Sequence, residues 1–531
     1  MKNLCLFIVL VSAAWNLQSQ EPLRLGLNFP FRNPELTSIE NFMEHIGQSG
    51  AQLYRQLTYA DVIWSQIEPQ NNQWNFSQRD SVFKGYPQFD YAVNLYSFTV
   101  NDIGYQVPWK ACETPGCGWN ARNDSIETKE YLKTCIDRYS STVKYWDLGN
   151  EAEEGKYPAG IPIIDFVKFF KFNYRWIKDI NPNVKVILPA TVGTYGVPLQ
   201  KKYDWFRTIF QLGAGNACDI IGYHDYNSWW TMPVHIDSIM NIKNSFGLKD
   251  KPLWLSESSC SSIHTSISPG YSSVNEQAAD VWRRSTLAWS KGVEMFIWHG
   301  CWSSDVPSVW AEFGLLDHNG LKKKSYHSYK LLSDNIIHFT NVDLLSQGIT
   351  SDNNDDPVGG NGVWVVKFVV KGENKYVMWS RNNLSYSMRP VRNTKFRITN
   401  VVPKILSADG ETATFQTDSV YVSANASYTF SLTSLPVFVE EITDLTSVNY
   451  QENDHPTFEV FPNPARETLG IRNHSDKAER YLISDISGKL MEELEIEPNQ
   501  VRRIDLRSWE NGIYFIRAKD QLKTQKIVVI R

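Results

Sequence analysis

Val143-Lys144-Tyr145-Trp146-Asp147-Leu148, then an amphipathic run from Ile164 to Ile180, then Val184-Lys185-Val186-Ile187-Leu188 is the stretch that decides the fold. The outer segments are short and rich in β-branched and aromatic residues, as strands buried on both faces are. The middle segment places apolar residues three and four apart, the period of a helix. Two parallel strands require a crossover of this kind, so the stretch is one strand-helix-strand unit. The alternation continues outward. Upstream lie strand candidates at Leu23–Leu27, Gln52–Arg55 and Phe89–Leu95, and downstream at Asp219–Tyr223, Pro252–Ser256 and Val293–Trp298. Helical periods run over Ile39–Ile46, Thr128–Arg138 and Asn275–Trp289. Eight strands alternating with helices over about 310 residues fit an α/β fold of the (β/α)8 TIM barrel type, here residues 21–335. A doubly wound open sheet is the alternative, and no Gly-x-Gly-x-x-Gly follows the first strand to support a nucleotide-binding version of it.

Beyond Ser333 the helical period stops. Val363–Phe368, Lys375–Trp379, Lys395–Ile398, Val420–Val422 and Tyr428–Phe430 are short strands separated by Asn, Gly and Asp turns, which reads as a β-sandwich over residues 336–442. A polar, acidic stretch at 443–456 is expected to be a linker. A last β-rich unit occupies 457–531. At the other end, Lys2 precedes the apolar run Leu4–Val11 and a small, polar exit, so residues 1–20 read as a secretory signal peptide. No other stretch is long and apolar enough for a transmembrane segment.

The chain's 531 residues carry 53 Lys plus Arg against 58 Asp plus Glu, a net charge of −5, with neither sign clustered. That balance argues against a nucleic-acid partner. Aromatic residues reach 13%, including 19 Trp, more than core filling asks for. Trp109, Trp119, Trp229, Trp230, Trp302 and Trp310 follow barrel strands, where each is expected either to line a cleft as a flat stacking platform or to pack in the core. Cys112 and Cys117 bracket a Glu-Thr-Pro-Gly turn and are expected to form a small loop disulfide, since no second pair of ligands completes a zinc site. Cys260 and Cys301 lie three residues past Glu257 and Trp298 on neighbouring strands, a spacing that predicts a disulfide at the barrel rim.

In a barrel of this type the chemistry sits at the C-terminal strand ends. The fourth strand runs out into Gly149-Asn150-Glu151 and the seventh into Ser256-Glu257, so two carboxylates face one mouth. Cleaving a glycosidic bond needs such a pair, one acid to protonate the leaving oxygen and one nucleophile or base. These residues resemble the clan A glycoside hydrolases, related to cellulases and β-xylosidases, whose motif is Asn-Glu after the fourth strand and Glu after the seventh. The resemblance extends over Leu23 to Val439. It implies Glu151 as acid/base, Glu257 as nucleophile, Asn150 as partner of the sugar 2-hydroxyl, retention of configuration, and no cofactor or metal. Tyr223-His224-Asp225-Tyr226 looks like the clan's His-x-Tyr, with Tyr226 or His224 expected to hydrogen-bond Glu257. Arg55, ending the second strand, is expected either to lower the Glu257 pKa or to make an ordinary barrel salt bridge, and Trp298 resembles the clan's floor tryptophan beneath the sugar. Glu153 and Glu154 compete with Glu151 for the acid role on position alone. Asn94 and Tyr96 stand where some cellulase-like families place a histidine.

Phe458–Ala465, Ile483–Lys489, Asn511–Phe515 and Lys526–Val529 are, in order, similar to the C-terminal sorting domain of type IX secretion. This implies export across an outer membrane with the type IX machinery as a partner, while the hydrolase resemblance of the barrel implies a carbohydrate as substrate. A catalytically silent glycan-binding protein on the same barrel is the competing reading. A metal-dependent hydrolase would need a ligand cluster such as His-Glu-x-x-His, which the chain lacks.

Overall fold

The computed structural model describes residues 22–30, 39–57, 60–96, 109, 121–151, 162–190, 199–266, 269–303, 312–443, 458–486, 488–518 and 524–530. The chain divides into two compact units, residues 1–444 and 445–531.

The first unit begins with eight parallel strands: β1 (Leu25–Pro30), β2 (Leu53–Leu57), β3 (Asp90–Tyr96), β4 (Val143–Asp147), β5 (Lys185–Leu188), β6 (Ile220–His224), β7 (Leu253–Ser258) and β8 (Met295–Trp298). Each pairs with the next, and Leu25 and Leu27 of β1 face Phe296 and Trp298 of β8, which closes the barrel. The helices that follow the strands are α1 (Ile39–Gln48), α2 (Ser77–Phe83), α3 (Ala121–Tyr139), α4 (Ile163–Ile180), α5 (Leu199–Gln211), α6 (Met232–Ser245), α7 (Val274–Ser290) and α8 (Lys324–Asn335). Helix α7 begins with Ser273, whose side chain accepts the Glu276 N–H at 3.2 Å. That bond satisfies one of the backbone donors a helix leaves open at its start.

Strand periodicity sorts the side chains. Leu53, Ala92, Ile187, Ile220, Trp254, Met295 and Ile297 point inward and form an apolar plug, with Trp254 tilted on Tyr145 at 4.9 Å. Residues of opposite parity, such as Tyr54, Val93, Leu255 and Trp298, belong to the larger core under the helices. Two residues beyond the plug, on the same inward face, the chain turns polar at Asn28, Arg55, Asn94 and Asp147, all buried. Strand β7 breaks the register against both neighbours: Leu255 pairs with Tyr223 and Phe296, but Glu257 pairs with His224 and Ser258 with Trp298. One extra residue is inserted near Ser256, a bulge that re-aims the end of the strand.

A six-stranded antiparallel sheet follows, made of β9 (Phe339–Ser346), β10 (Trp364–Val370), β11 (Glu373–Trp379), β13 (Thr394–Asn400), β14 (Thr417–Val422) and β16 (Val437–Thr443) in the order β9-β10-β11-β16-β13-β14. It is accompanied by the pair β12 (Ser385–Met388) and β15 (Tyr428–Ser431). Val365, Met378, Phe396, Phe430 and Val439 form its own core. The opposite face packs on α7, with Trp282 on Phe438 at 5.3 Å and Trp289 on Phe339 at 5.5 Å. Covered by barrel on one side and sandwich on the other, α7 is buried from Gln277 through Trp289.

The second unit has a three-stranded sheet of β17 (Phe458–Phe461), β18 (Thr468–Asn473) and β21 (Val501–Asp505), and a four-stranded sheet of β19 (Glu479–Asp485), β20 (Leu490–Ile496), β22 (Gly512–Ala518) and β23 (Thr524–Val529). Leu469, Ile471, Tyr481, Ile483, Ile516 and Ile527 lie in its separate core. Among the described residues no helix is long and apolar enough to cross a membrane.

Candidate active site

The polar layer above the barrel plug is centred on Arg55. Its side chain is completely buried, so its charge must be answered by protein groups. Nη1 donates to Glu257 Oε1 at 2.7 Å, and Nη2 donates to Asp147 Oδ2 at 2.9 Å, to Asn150 Oδ1 at 3.0 Å and to Asn94 Oδ1 at 3.3 Å. The Asn28 amide turns its N–H group to the Arg55 carbonyl at 3.1 Å, and its oxygen accepts from Arg55 Nη1 at 3.3 Å and His299 Nδ1 at 3.2 Å.

Glu257 receives donors from three further directions. The Tyr226 hydroxyl donates to Oε2 at 2.6 Å, and the Nδ1 atoms of His224 and His299 lie 3.4 and 3.3 Å from the same oxygen. Burial pushes the Glu257 carboxyl up, but the positive charges that face it, His299 and Arg55 among them, outweigh burial and hold it below the ordinary value. Burial lowers the His224 pKa to about 3, so that ring is neutral at physiological pH and Arg55 supplies the lasting positive charge. Neutral His224 must carry its proton on Nδ1, because both atoms near that nitrogen are carboxylate oxygens: Glu151 Oε1 at 3.1 Å and Glu257 Oε2. Burial and the Glu257 charge keep the Tyr226 hydroxyl protonated far above its usual range, which makes it a donor at every relevant pH.

Glu151 arrives on a different kind of backbone. Gly149 has φ +135° and Glu151 φ +49°, so the chain leaves β4 through a sharp turn whose left-handed geometry is costly at a glutamate. The turn brings a Glu151 carboxylate oxygen within 4.8 Å of one on Glu257, with His224 between them. Glu151, His224 and Glu257 are the one group among the described residues whose ligand atoms are near enough to share an ion. The Arg55 guanidinium already neutralises Glu257, which works against a cation there. Asp147, wholly buried beside Arg55, is raised to about 6, burial outweighing the guanidinium's pull.

Glu151, Glu257, Asn150, His224, Tyr226 and Arg55 thus meet in one cluster. Trp298 does not join them. Its parity is outward, its side chain is fully buried under the helices, and its indole N–H donates to the Phe313 carbonyl at 3.3 Å. The inward position at the end of β8 belongs to His299, which the sequence reading missed. Ile297 points inward, and the residue two further along had to do the same. The same count from Tyr145 reaches Asp147.

The disulfide expected between Cys260 and Cys301 is absent, and both thiols are free and buried. The bulge in β7 is the reason, since it removes the equal heights on which the pairing depended. Cys260 Sγ faces the Ser261 carbonyl at 3.4 Å and Ser272 Oγ at 3.5 Å, whereas Cys301 lies on the side of Tyr54. Trp229 and Trp230 are 1% and 2% exposed and wedged against the sandwich rather than lining a cleft. Trp109 stacks edge-on against Trp64 at 5.7 Å, and Trp302 is partly buried beside Gly320. Cys112, Cys117, Trp119, Glu153, Glu154 and Trp310 lie outside the described residues.

Residues 459–530 match the family of secretion system C-terminal sorting domains. No curated protein matches the chain. Among solved structures it is similar to a family 39 glycoside hydrolase from the gut symbiont Bacteroides cellulosilyticus WH2, at 15% identity and TM-score 0.58, over 79% of this chain and 81% of that one. It is also similar to an alpha-L-arabinofuranosidase from Thermotoga maritima in complex with arabinose, at 10% identity and TM-score 0.54, over 80% and 97% of the two chains. A family 39 enzyme from Xanthomonas axonopodis pv. citri aligns at 12% identity and TM-score 0.51, over 80% and 94%. The likeness is one of fold: a closed eight-stranded barrel with trailing antiparallel sheets, as in the clan A glycoside hydrolases.

Proposed function

We propose that the barrel is a secreted glycoside hydrolase that cleaves O-glycosidic bonds of a poly- or oligosaccharide with retention of configuration. The observation that carries this reading is the carboxylate pair, with oxygens of Glu151 and Glu257 within 4.8 Å and Glu257 held ionised. Carboxylate oxygens no more than 4.8 Å apart fit the close pair of a retaining enzyme better than the wider pair that holds a water between them, and suit attack by one of them on the sugar. In the first step Glu257 forms a bond to the anomeric carbon while Glu151 gives its proton to the departing oxygen. In the second, Glu151 takes a proton from water, the resulting oxygen attacks the same carbon, and Glu257 leaves. Asn150, its oxygen held by Arg55, keeps its N–H groups as donors for the 2-hydroxyl. The sorting domain supports delivery to the outside of the cell or its surface through the type IX machinery.

Product release from xylans, glucans, mannans and algal galactans, with Glu257→Gln assayed beside the parent chain, tests the reading. The parent releases sugar whose first-formed anomer, followed by proton NMR, matches that of the bond cleaved, and the variant loses at least about 10³-fold. Binding without cleavage by either protein would establish a glycan-binding barrel instead, and activity surviving in Glu257→Gln would remove the nucleophile from the scheme.

A further inference from the structure

Tyr226 donates the shortest hydrogen bond to Glu257, yet it stands beyond the end of β6 on a stretch without regular structure. Such a segment keeps a side chain in place only if its backbone is tied elsewhere. Residues 225–230 are buried throughout, and their polar groups are tied from two sides. From the barrel, Asp225 Oδ1 accepts the Asn227 backbone N–H at 3.0 Å and its side-chain N–H at 2.9 Å, and Arg284 donates to the Asn227 carbonyl at 2.6 Å.

The other side is the sandwich, whose loop between β9 and β10 reaches across to this segment. Asn354 donates through Nδ2 to Asn227 Oδ1 at 2.7 Å, accepts the Ser228 backbone N–H on Oδ1 at 2.7 Å, and accepts the Ser228 hydroxyl on its carbonyl at 2.9 Å. The Asn353 carbonyl accepts the Trp230 indole N–H at 3.2 Å. Further along, Gly360, at φ +80°, lies so near Trp229 that a Cβ would fall 2.7 Å from the ring. The loop is therefore fitted to the segment carrying Tyr226 by directional bonds and by close packing.

We propose that Asn354 is a positioning residue of the active site, fixing Asn227 and Ser228 so that the Tyr226 hydroxyl stays on Glu257. The middle sandwich then has a part in catalysis, and the proposal rests on the reading of Glu257 as nucleophile. A hydrogen bond to a carboxylate weakens steeply with distance and angle, so a small relaxation of residues 227–228 reaches Glu257 as a loss of stabilised charge. Among the described residues the other groups facing Glu257 are Arg55 from β2, Glu151 from the β4 turn, His224 from β6 and His299 after β8, and their contacts with Glu257 and with one another come from the barrel. Only Tyr226 is on the tethered segment.

The test compares the full chain with Asn354→Ala, Tyr226→Phe and the double variant. Asn354→Ala is expected to lower kcat with KM little changed and to move the acid limb of kcat/KM upward by about half to one pH unit, and to add nothing in the Tyr226→Phe background. A carbon-13 titration of the Glu257 carboxyl in glutamate-labelled protein, assigned with Glu257→Gln, reads the same shift without any turnover. Asn354→Ser serves equally if the alanine variant is poorly produced. An unmoved Glu257 titration, or effects of the two single substitutions that add in full, would reduce Asn354 to a fold contact and overturn the proposal. A parent chain that cleaves nothing would end the hydrolase reading, while the titration would still decide the role of Asn354.

Discussion

Arg55 shows how one side chain organises a site: a guanidinium without water contact gathers Glu257, Asp147, Asn150 and Asn94 because each of its N–H groups must find an oxygen. His224 illustrates the opposite case, a titratable ring that burial keeps neutral. The unfolded chain takes up a proton on this histidine below about pH 6.5, and the folded chain resists until about pH 3. Unfolding therefore gains protons as pH falls, so the stability His224 allows is complete above pH 6.5 and is lost on acidification. His224→Gln is expected to shrink the loss between pH 7 and pH 5 by about 2 kcal/mol, measured from urea midpoints at the two pH values. At this scale the shared location of Glu151, Glu257 and Arg55 at one barrel mouth was legible from strand order and motif. Trp298 was misplaced because the motif reading ignored inward and outward parity, and the same oversight hid His299 and Asp147.

Strands and helices of the barrel were legible because each unit repeats the same contrast of short apolar run and 3.6-residue period. The bulge in β7 was not, since nothing local in Leu253–Ser258 marks an inserted residue, and its effect is visible only against the registers of β6 and β8. That single offset explains why Glu257 meets His224 while the Cys260 and Cys301 thiols miss each other. The aromatic excess also resolves at this scale. Trp229 sits edge-on to Trp364 at 5.3 Å and to Trp379 at 5.8 Å, while those two stack parallel at 5.9 Å, so the rings join barrel to sandwich. Trp229→Ala is expected to cost about 3–5 kcal/mol, seen as a Tm roughly 5 °C lower with KM unchanged. A sugar platform would show the reverse pattern.

Across the whole molecule the cores divide cleanly: one set of clusters fills the barrel and sandwich, and another, around Leu469, Tyr481 and Ile516, fills the sorting domain. A chain ending at Thr443 is expected to keep kcat/KM within about twofold and to lose one of two calorimetric transitions. The part played by the sandwich escaped the sequence because Asn354 and Ser228 are 126 residues apart, and no local pattern links them. The free cysteines carry a last consequence. Cys135, Cys218, Cys260 and Cys301 are buried, and burial raises each thiol, Cys218 to about 12, so almost none of the reactive thiolate forms. As far as these four are concerned, the barrel holds together by packing and ionic contacts that are indifferent to electrons. Those four side chains would make the same bonds in a reducing compartment as in an oxidising one.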